Sequence, residues 1–202
     1  LLVLACGLAT MVAAQPAGAA IPEPQIGMYF ATNGSARECG PMQGTQWAVA
    51  PNWTIPVRID TSNRSGSCEF QLGIRDPGLV RIPNFTYRWE PAGPSDAGQC
   101  GNRQGTFSIP VNGILTGGEF GTRIQMDTDN RFGFCNLTFD ASGDGEYGLD
   151  VQFWADGIGQ CFNTAPPGFW RTVRPGAPLT IGIDTDSRPG GCQMSLRLSR
   201  LV

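Results

Sequence analysis

The feature that most constrains this chain is a ten-residue segment that occurs three times. Asp, Thr, Arg, Gly and Cys keep their places in Ile59–Cys68, Met126–Cys135 and Ile183–Cys192. Apolar residues alternate with other residues before and after each copy. Such alternation on both sides of a polar, Gly-containing bend predicts a strand, a turn and a second strand. The sequence therefore predicts a chain built from three related β-hairpins.

The similarity extends beyond the bend to a unit of about 60 residues, of the size expected for a few short strands. The units span about residues 25–83, 84–142 and 143–202, and each places an aromatic strand, a Cys, a Gly and another aromatic before the bend. We predict about four strands per unit and about twelve in all. Gly and Pro interrupt the chain too often for a sustained helical stripe, so the predicted fold is all-β.

Three units of this kind predict a closed, disulfide-stapled domain with pseudo-threefold symmetry, of the β-trefoil or β-prism type. Closure protects the edges of sheets from further pairing. The alternative is a linear array of three small Greek-key units. A single unit with few apolar residues would have a weak core of its own. We therefore favour the closed arrangement.

The first twenty residues carry no charge and form an apolar run that ends in small residues. This pattern predicts a secretory signal peptide over residues 1–20 and a single all-β domain of three repeats over residues 21–202. The alternative is a lipid anchor attached to Cys6. All fourteen basic residues are Arg, which together with abundant Ala, Gly and Pro indicates a GC-rich bacterial genome. We expect a secreted, extracellular protein of bacterial origin.

Six cysteines follow the predicted signal peptide, two in each unit. An even number of cysteines in an exported protein predicts disulfides. Equivalent positions in the repeats should have equivalent partners. The predicted bonds are Cys39–Cys68, Cys100–Cys135 and Cys161–Cys192. Each would contribute about 3 to 4 kcal/mol by closing a loop in the unfolded chain.

The repeated bend has a structural interpretation and two functional ones. In the structural interpretation its Asp accepts backbone N–H groups and pairs with the Arg four residues later. In the first functional interpretation the Asp oxygens bind calcium, although the bend lacks the distal Glu of an EF-hand loop. In the second, Asp and Arg form hydrogen bonds with sugar hydroxyls. The residues concerned are Asp60, Arg64, Asp127, Asp129, Arg131, Asp184, Asp186 and Arg188. Calcium would use Asp127, Asp129, Asp184 and Asp186, and no other cofactor is predicted.

Aromatic residues fall into a recurrent and a non-recurrent set. The recurrent set is Trp47, Phe107 and Trp170 at one position of the repeat, and Phe30, Trp89 and Trp154 at another. Large aromatics dominate buried area, so we predict that both positions fill the core. The non-recurrent set is Trp53, Phe132 and Phe134. Aromatics that do not recur and that lie beside bends are candidates for a binding platform.

The composition excludes several classes of function. The chain has no His, which rules out Ser-His-Asp and Cys-His catalysis. A glycosidase needs only two carboxylates, but no motif locates such a pair. We predict that the protein is not an enzyme. The net charge of -3 and the acidic isoelectric point near 4.9 argue against nucleic acid as a partner. We expect a monomer that does not insert into membranes.

The leading hypothesis is a secreted, non-catalytic binding module for glycans of a cell envelope or an extracellular polymer. Three equivalent weak sites would gain from multivalency on a repetitive ligand. The alternative is a protein-interaction module, such as a secreted protease inhibitor or a toxin-like effector. Its activity would lie in a non-repeating loop, Gly73–Pro83 or Pro110–Phe120. A structural surface or matrix protein is the remaining hypothesis.

Overall fold

A computed structural model describes residues 22–34, 44–47, 55–60, 66–93, 100, 104–112, 124–127, 134–155, 161–162, 168–184 and 191–202. For residues 30, 32–34, 44–47, 55–60, 66–67 and 124–127 it describes the backbone alone. The described chain consists of β-strands and their connections, and it contains no helix, which confirms the prediction that the fold is all-β. Within these ranges, accordingly, no helix has the length and apolar character needed to cross a bilayer. The predicted signal peptide, with Cys6, lies outside them.

Thirteen strands are described. In chain order they are β1 Gln25–Gly34, β2 Gly44–Trp47, β3 Ile55–Asp60, β4 Gly66–Arg75, β5 Asn84–Pro91, β6 Gly105–Ser108, β7 Ile124–Asp127, β8 Phe134–Ser142, β9 Tyr147–Ala155, β10 Cys161–Phe162, β11 Arg171–Val173, β12 Leu179–Asp184 and β13 Gly191–Arg200.

The strands form three sheets. The first sheet has the order β2-β1-β4-β7, the second β10-β12-β8-β5-β6 and the third β11-β9-β13-β3. In each sheet, strands of one sequence unit pair with a strand that belongs to another unit. β7 of the second unit joins the first sheet, β12 of the third unit joins the second sheet together with β10 of the same unit, and β3 of the first unit joins the third sheet. No described sheet is therefore made from one unit alone.

The repeated bends connect different sheets and do not close hairpins. The predicted strands form on both sides of each bend, but the prediction that they pair with each other is wrong. β3 pairs with β13, for example, whereas β4 pairs with β1 and β7. Five or six residues separate the flanking strands, more than the two of a tight hairpin. Apolar alternation shows where strands form and which face is buried, but it does not identify the partner strand.

The core lies between the inner faces of the three sheets. It contains alternate residues of the long strands, and Phe70, Tyr87 and Phe139 are almost completely buried there. Phe70 of the first sheet and Tyr87 of the second are in ring contact, with centroids 6.0 Å apart. Burial raises the pKa of the Tyr87 hydroxyl well above its ordinary value. The sheets thus share one continuous apolar core.

Two disulfides are described, Cys100–Cys135 and Cys161–Cys192, with Cα atoms 5.6 and 5.4 Å apart. They are the pairs that the repeat predicts for the second and third units. Cys68 is buried and disulfide-bonded, and its predicted partner Cys39 lies outside the described residues.

The prediction that the recurrent aromatics fill the core is correct for Trp89 and Phe107 and wrong for Trp154 and Trp170. Trp89 is fully buried, and its indole N–H donates to the carbonyl of Cys100 at 2.7 Å. Trp154 and Trp170 are only half-buried. Phe153 takes the place of Trp89 in the third unit, because Phe153 is opposite Met194 as Trp89 is opposite Leu137. Successive side chains point to opposite faces of a sheet, so Trp154 faces outward.

Candidate functional site

The outer face of the second sheet combines aromatic and polar side chains. Leu137 and Phe139 of β8 are buried in the core, so the residues between and beside them face outward. The same alternation holds along β5 and β12. We define this outer face by Arg88, Glu90, Phe134, Asn136, Thr138, Phe162, Thr180, Gly182 and Asp184.

Phe134 and Phe162 form an aromatic pair at one end of this outer face. Their ring centroids are 4.6 Å apart and their planes are inclined by 73°, an edge-to-face contact. Phe162 remains 40% exposed. Its ring covers Gly182, where an added Cβ would lie 2.6 Å from a ring carbon. Glycine at residue 182 therefore allows the ring to lie against the sheet.

Polar groups surround the aromatic pair on the neighbouring strands. Asp184 is directly opposite Phe134 in the ladder between β12 and β8, and Asn136 is opposite Gly182. Farther along, the hydroxyls of Thr138 and Thr180 share a hydrogen bond of 2.9 Å. This end of the sheet thus places a carboxylate and an amide beside two aromatic rings.

An exposed ion pair borders the polar region on β5. The Nε of Arg88 lies 3.2 Å from Oε1 of Glu90, and both side chains are open to solvent. Glu90 is opposite Asn136 in the ladder between β5 and β8. Donors and acceptors therefore continue across three adjacent strands.

The strand ends that flank the three repeated bends pair in a cyclic order. Asp60, Asp127 and Asp184 each end the strand that precedes a bend. Their backbone partners are the residues just before the cysteine of another copy: Asp60 is opposite Gly191, Asp127 opposite Ser67 and Asp184 opposite Phe134. Phe134 is the one aromatic among these partners. The strand ends beside the bends are thus paired in the same way, but the partner residues differ in chemistry.

The other predicted site residues lie outside the described residues: Trp53, Arg64, Asp129, Arg131, Phe132, Asp186 and Arg188. Among the side chains that the structure describes, no three His, Cys, Asp or Glu residues form a group that could hold a metal ion. The calcium prediction depends mainly on residues beyond these ranges and stays a prediction.

Phe162 and Gly182 are site residues that the sequence did not reveal. Phe162 lies on the two-residue strand β10, which is too short to give a periodic signal. Gly182 interrupts the apolar alternation of β12, and an isolated Gly in a strand is a known sign of close approach by another group. That sign identifies the position, but the ring that covers it becomes apparent only in the folded chain.

Comparison of the chain with protein family models, with curated proteins and with solved structures gives no match. The function of the outer face must therefore be inferred from its own residues.

Proposed function

We propose that this protein is a secreted, non-catalytic binding module for glycans of a cell envelope or an extracellular polymer. The observation that carries the proposal is the Phe134–Phe162 pair beside Asp184 and Asn136. Aromatic rings offer apolar surface to the C–H face of a sugar. Carboxylate and amide groups accept and donate the hydrogen bonds that hydroxyls need. This outer face supplies both kinds of contact side by side.

The site is proposed for the second sheet alone. At the position of Phe134 the other two copies of the repeat have Ser67 and Gly191. Neither residue offers a ring for stacking. One aromatic site therefore takes the place of the three equivalent sites that the repeat suggests, and multivalency would come from several protein molecules on one polymer.

A closed arrangement of the β-prism type is part of the same proposal. Its support is that β3 of the first unit pairs with β13 of the third unit, which joins the two ends of the repeat series. A linear array offers no means for its first and last units to pair. Three separate sheets around a shared core favour a prism over a trefoil.

Binding to polysaccharides tests the proposed site. The oxidised protein would be screened on glycan arrays and in polysaccharide pull-downs, next to variants Phe134→Ala and Phe162→Ala. Each is expected to weaken binding by about 2- to 10-fold, as loss of an aromatic contact of 0.5 to 1.5 kcal/mol implies. The matched control is Leu79→Ala, which truncates an apolar side chain that is 84% exposed elsewhere. A wild-type protein that binds no glycan in either format would refute the proposal.

A protein-interaction module is the second candidate function, and the loop over residues 76–83 favours it, since Gly73 to Arg75 of the predicted loop belong to β4. Leu79 is 84% exposed and has a left-handed φ of 52°. Residues held in this region cost about 1 to 3 kcal/mol and are concentrated at functional sites. A panel of secreted proteases assayed with wild type and Leu79→Ala tests this candidate. Inhibition that is lost in Leu79→Ala and kept in Phe162→Ala would favour it over glycan binding.

A further inference from the structure

The outer face of the third sheet contains a side-chain cluster centred on Arg197. In the ladders of this sheet Asp150 of β9 is opposite both Thr172 of β11 and Arg197 of β13, so the three form one row. Their neighbours Leu149 and Val173 are buried in the core, so the row points outward. The Thr172 hydroxyl donates to Oδ1 of Asp150 at 2.6 Å, and the Nε of Arg197 donates to Oδ2 at 3.0 Å. Both carboxylate oxygens of Asp150 therefore have a partner.

Trp170 holds the guanidinium of Arg197 from a second direction. The guanidinium carbon lies 4.2 Å from the centroid of the Trp170 ring, a cation–π contact. The turn that carries Trp170 is itself anchored to β9. The Gly168 N–H donates to the carbonyl of Phe153 at 2.8 Å, and the Gln152 side chain donates to the carbonyl of Gly168 at 2.6 Å. The guanidinium is therefore fixed in place before any ligand arrives.

Arg197 keeps donors that its contacts with Asp150 and Trp170 do not use. Its side chain is 30% exposed, whereas that of Asp150 is 5% exposed. The nitrogen that bonds to Asp150 is Nε, and no group in the described part of the chain accepts from the two Nη groups. These form a planar fork that matches the two oxygens of a carboxylate. A side chain that is already fixed loses little entropy when it binds such a group.

The charge around this cluster is positive, although the chain as a whole has a net charge of -3. Asp150 is the single acidic residue in β9, β11, β13 and the segment 168–177. The same segments contain four arginines, of which Arg200 pairs with Glu146. The remaining strand β3 adds one Arg and one Asp, which cancel. Three arginines thus stand against Asp150, and a positive surface of this kind raises the local concentration of anions.

We infer that the outer face of the third sheet is a second saccharide site, selective for a sugar that carries a carboxylate, such as a uronic acid unit of an acidic polysaccharide. The carboxylate accepts two hydrogen bonds from the Nη groups of Arg197. Trp170 is half-buried, and the open part of its indole offers an apolar surface to the C–H face of the sugar ring. Asp150 is a positioning residue, because it holds Nε and does not touch the ligand. The inference rests on the proposed glycan-binding function, but it concerns a different face and no residue of the aromatic pair.

Nuclear magnetic resonance of the oxidised, nitrogen-15-labelled protein tests this site by its own signals, the Nε–H of Arg197 and the indole N–H of Trp170. The probe is the methyl α-glycoside of galacturonic acid, and its methyl ester is the matched neutral control. We expect the uronate to shift both resonances saturably and the ester to bind about 10-fold more weakly, as the loss of hydrogen bonds to a charged group implies. A sulfated methyl galactoside and tetraglutamate represent the other anions. No shift with the uronate, or equal binding of the ester, the sulfate or the peptide, would overturn the inference.

Variants distinguish the fork of Arg197 from the general positive charge. The double variant Asp150→Asn with Arg197→Gln removes the fork, keeps the net charge and leaves no buried charge unpaired, and it should bind the uronate about 10-fold more weakly. Arg171→Gln lowers the net charge by one on the same sheet and should weaken binding by less than about 2-fold, because salt screens exposed charges. The opposite ranking would show that net charge alone attracts the ligand. If the double variant does not fold, Arg197→Lys keeps the charge without the fork, and undiminished uronate binding in Arg197→Lys would contradict the inference.

Phe162→Ala separates this site from the one on the second sheet. It should leave the uronate shifts unchanged, and their loss would contradict a separate site. If polysaccharide binding depends on Phe134 or Phe162 while the uronate does not move the Arg197 and Trp170 resonances, this inference alone fails. If these resonances move and no polysaccharide binding depends on Phe134 or Phe162, the aromatic site fails instead.

Discussion

At the scale of single residues, Gly182 determines whether the aromatic pair can form. An added Cβ would lie 2.6 Å from the Phe162 ring, so Gly182→Ala must displace that ring. We expect a loss of about 1 to 3 kcal/mol in unfolding free energy, as for other overpacked sites, together with weaker glycan binding. In the Phe162→Ala background the same substitution should cost much less, because the clash is gone. Chemical denaturation of all four proteins measures this coupling, and equal costs in both backgrounds would show that the ring is not the cause.

Predictions about single residues are correct where the repeat relates equivalent positions. They are wrong where a side chain has to be assigned to the inner or the outer face of a sheet. Cys100 and Cys161 could be matched with their partners because equivalent positions imply equivalent bonds. Trp154 corresponds to Trp89 in the predicted repeat because each precedes the first cysteine of its unit, yet its neighbour Phe153 is the buried residue. A shift of one residue moves a side chain to the opposite face of a strand, and spacing through loops of unequal length does not resolve that shift.

At the scale of structural elements, the loop after β4 depends on Asn112. The Asp76 N–H donates to Oδ1 of Asn112 at 2.7 Å, and Nδ2 of Asn112 donates to the carbonyl of Asp76 at 3.2 Å. Asn112 has a φ of 55°, which glycine adopts easily and alanine does not. Asn112→Gly should lose about 1 kcal/mol for the hydrogen bonds, and Asn112→Ala about 1 kcal/mol more for backbone strain.

Hydrogen exchange at Asp76 and Gly78 checks this role of Asn112. Both variants should expose the Asp76 amide, and the Gly78 amide, which donates to Asp76 Oδ1 at 3.1 Å, should follow. Unchanged protection at both amides would show that the loop holds its shape without Asn112. In that case the left-handed φ of Leu79 would not depend on the hydrogen bonds between Asn112 and Asp76.

The strands themselves were predictable, but their partners were not. Alternation in the sequence predicts β4, β8 and β13 as half-buried strands, and their alternating apolar residues are buried. The outward-facing residues Gln71, Thr138 and Ser195 are buried as well. The bends that precede them read as hairpin turns, because a polar segment with Gly between two strands most often closes a hairpin. The actual pairing of the strands is determined by interactions between residues that are far apart in the sequence. They include core contacts such as Phe70 with Tyr87, which join different sheets and which no local pattern contains.

At the scale of the whole molecule, Glu146 ties distant parts of the chain together. Its N–H donates to the carbonyl of Arg81 at 2.9 Å, and its own carbonyl accepts from the Leu201 N–H at 2.7 Å. Its carboxylate pairs with Arg200 and Arg81. These contacts join three segments. They are the connection between the first and second units, the connection between the second and third units, and the end of β13.

The charges around Glu146 predict a dependence of stability on pH. Hydrogen bonds from Arg200 and then Arg81 hold the pKa of the Glu146 carboxyl below its ordinary value of 4.5. Its contribution to stability is therefore fully present above the unfolded pKa and is lost as pH falls through the folded pKa. Glu146→Gln should flatten the fall of the unfolding midpoint below about pH 4.5, with Glu90→Gln as an exposed control. Identical acid profiles for wild type and Glu146→Gln would contradict this role.

The exchange of strands among the sheets predicts that the oxidised protein unfolds as one cooperative unit. Loss of the first unit would remove β3 from the third sheet, and loss of the third unit would remove β10 and β12 from the second. No unit can unfold without exposing the core of another, because the buried faces form one continuous cluster. Calorimetry should therefore give a single transition whose calorimetric and van't Hoff enthalpies agree. Three separable transitions would instead indicate the linear array, since small units joined only by linkers unfold independently. A chain ending at residue 142 extends this test: it keeps β3 and β8 but lacks the strands β13 and β12 that pair with them, and it should not fold.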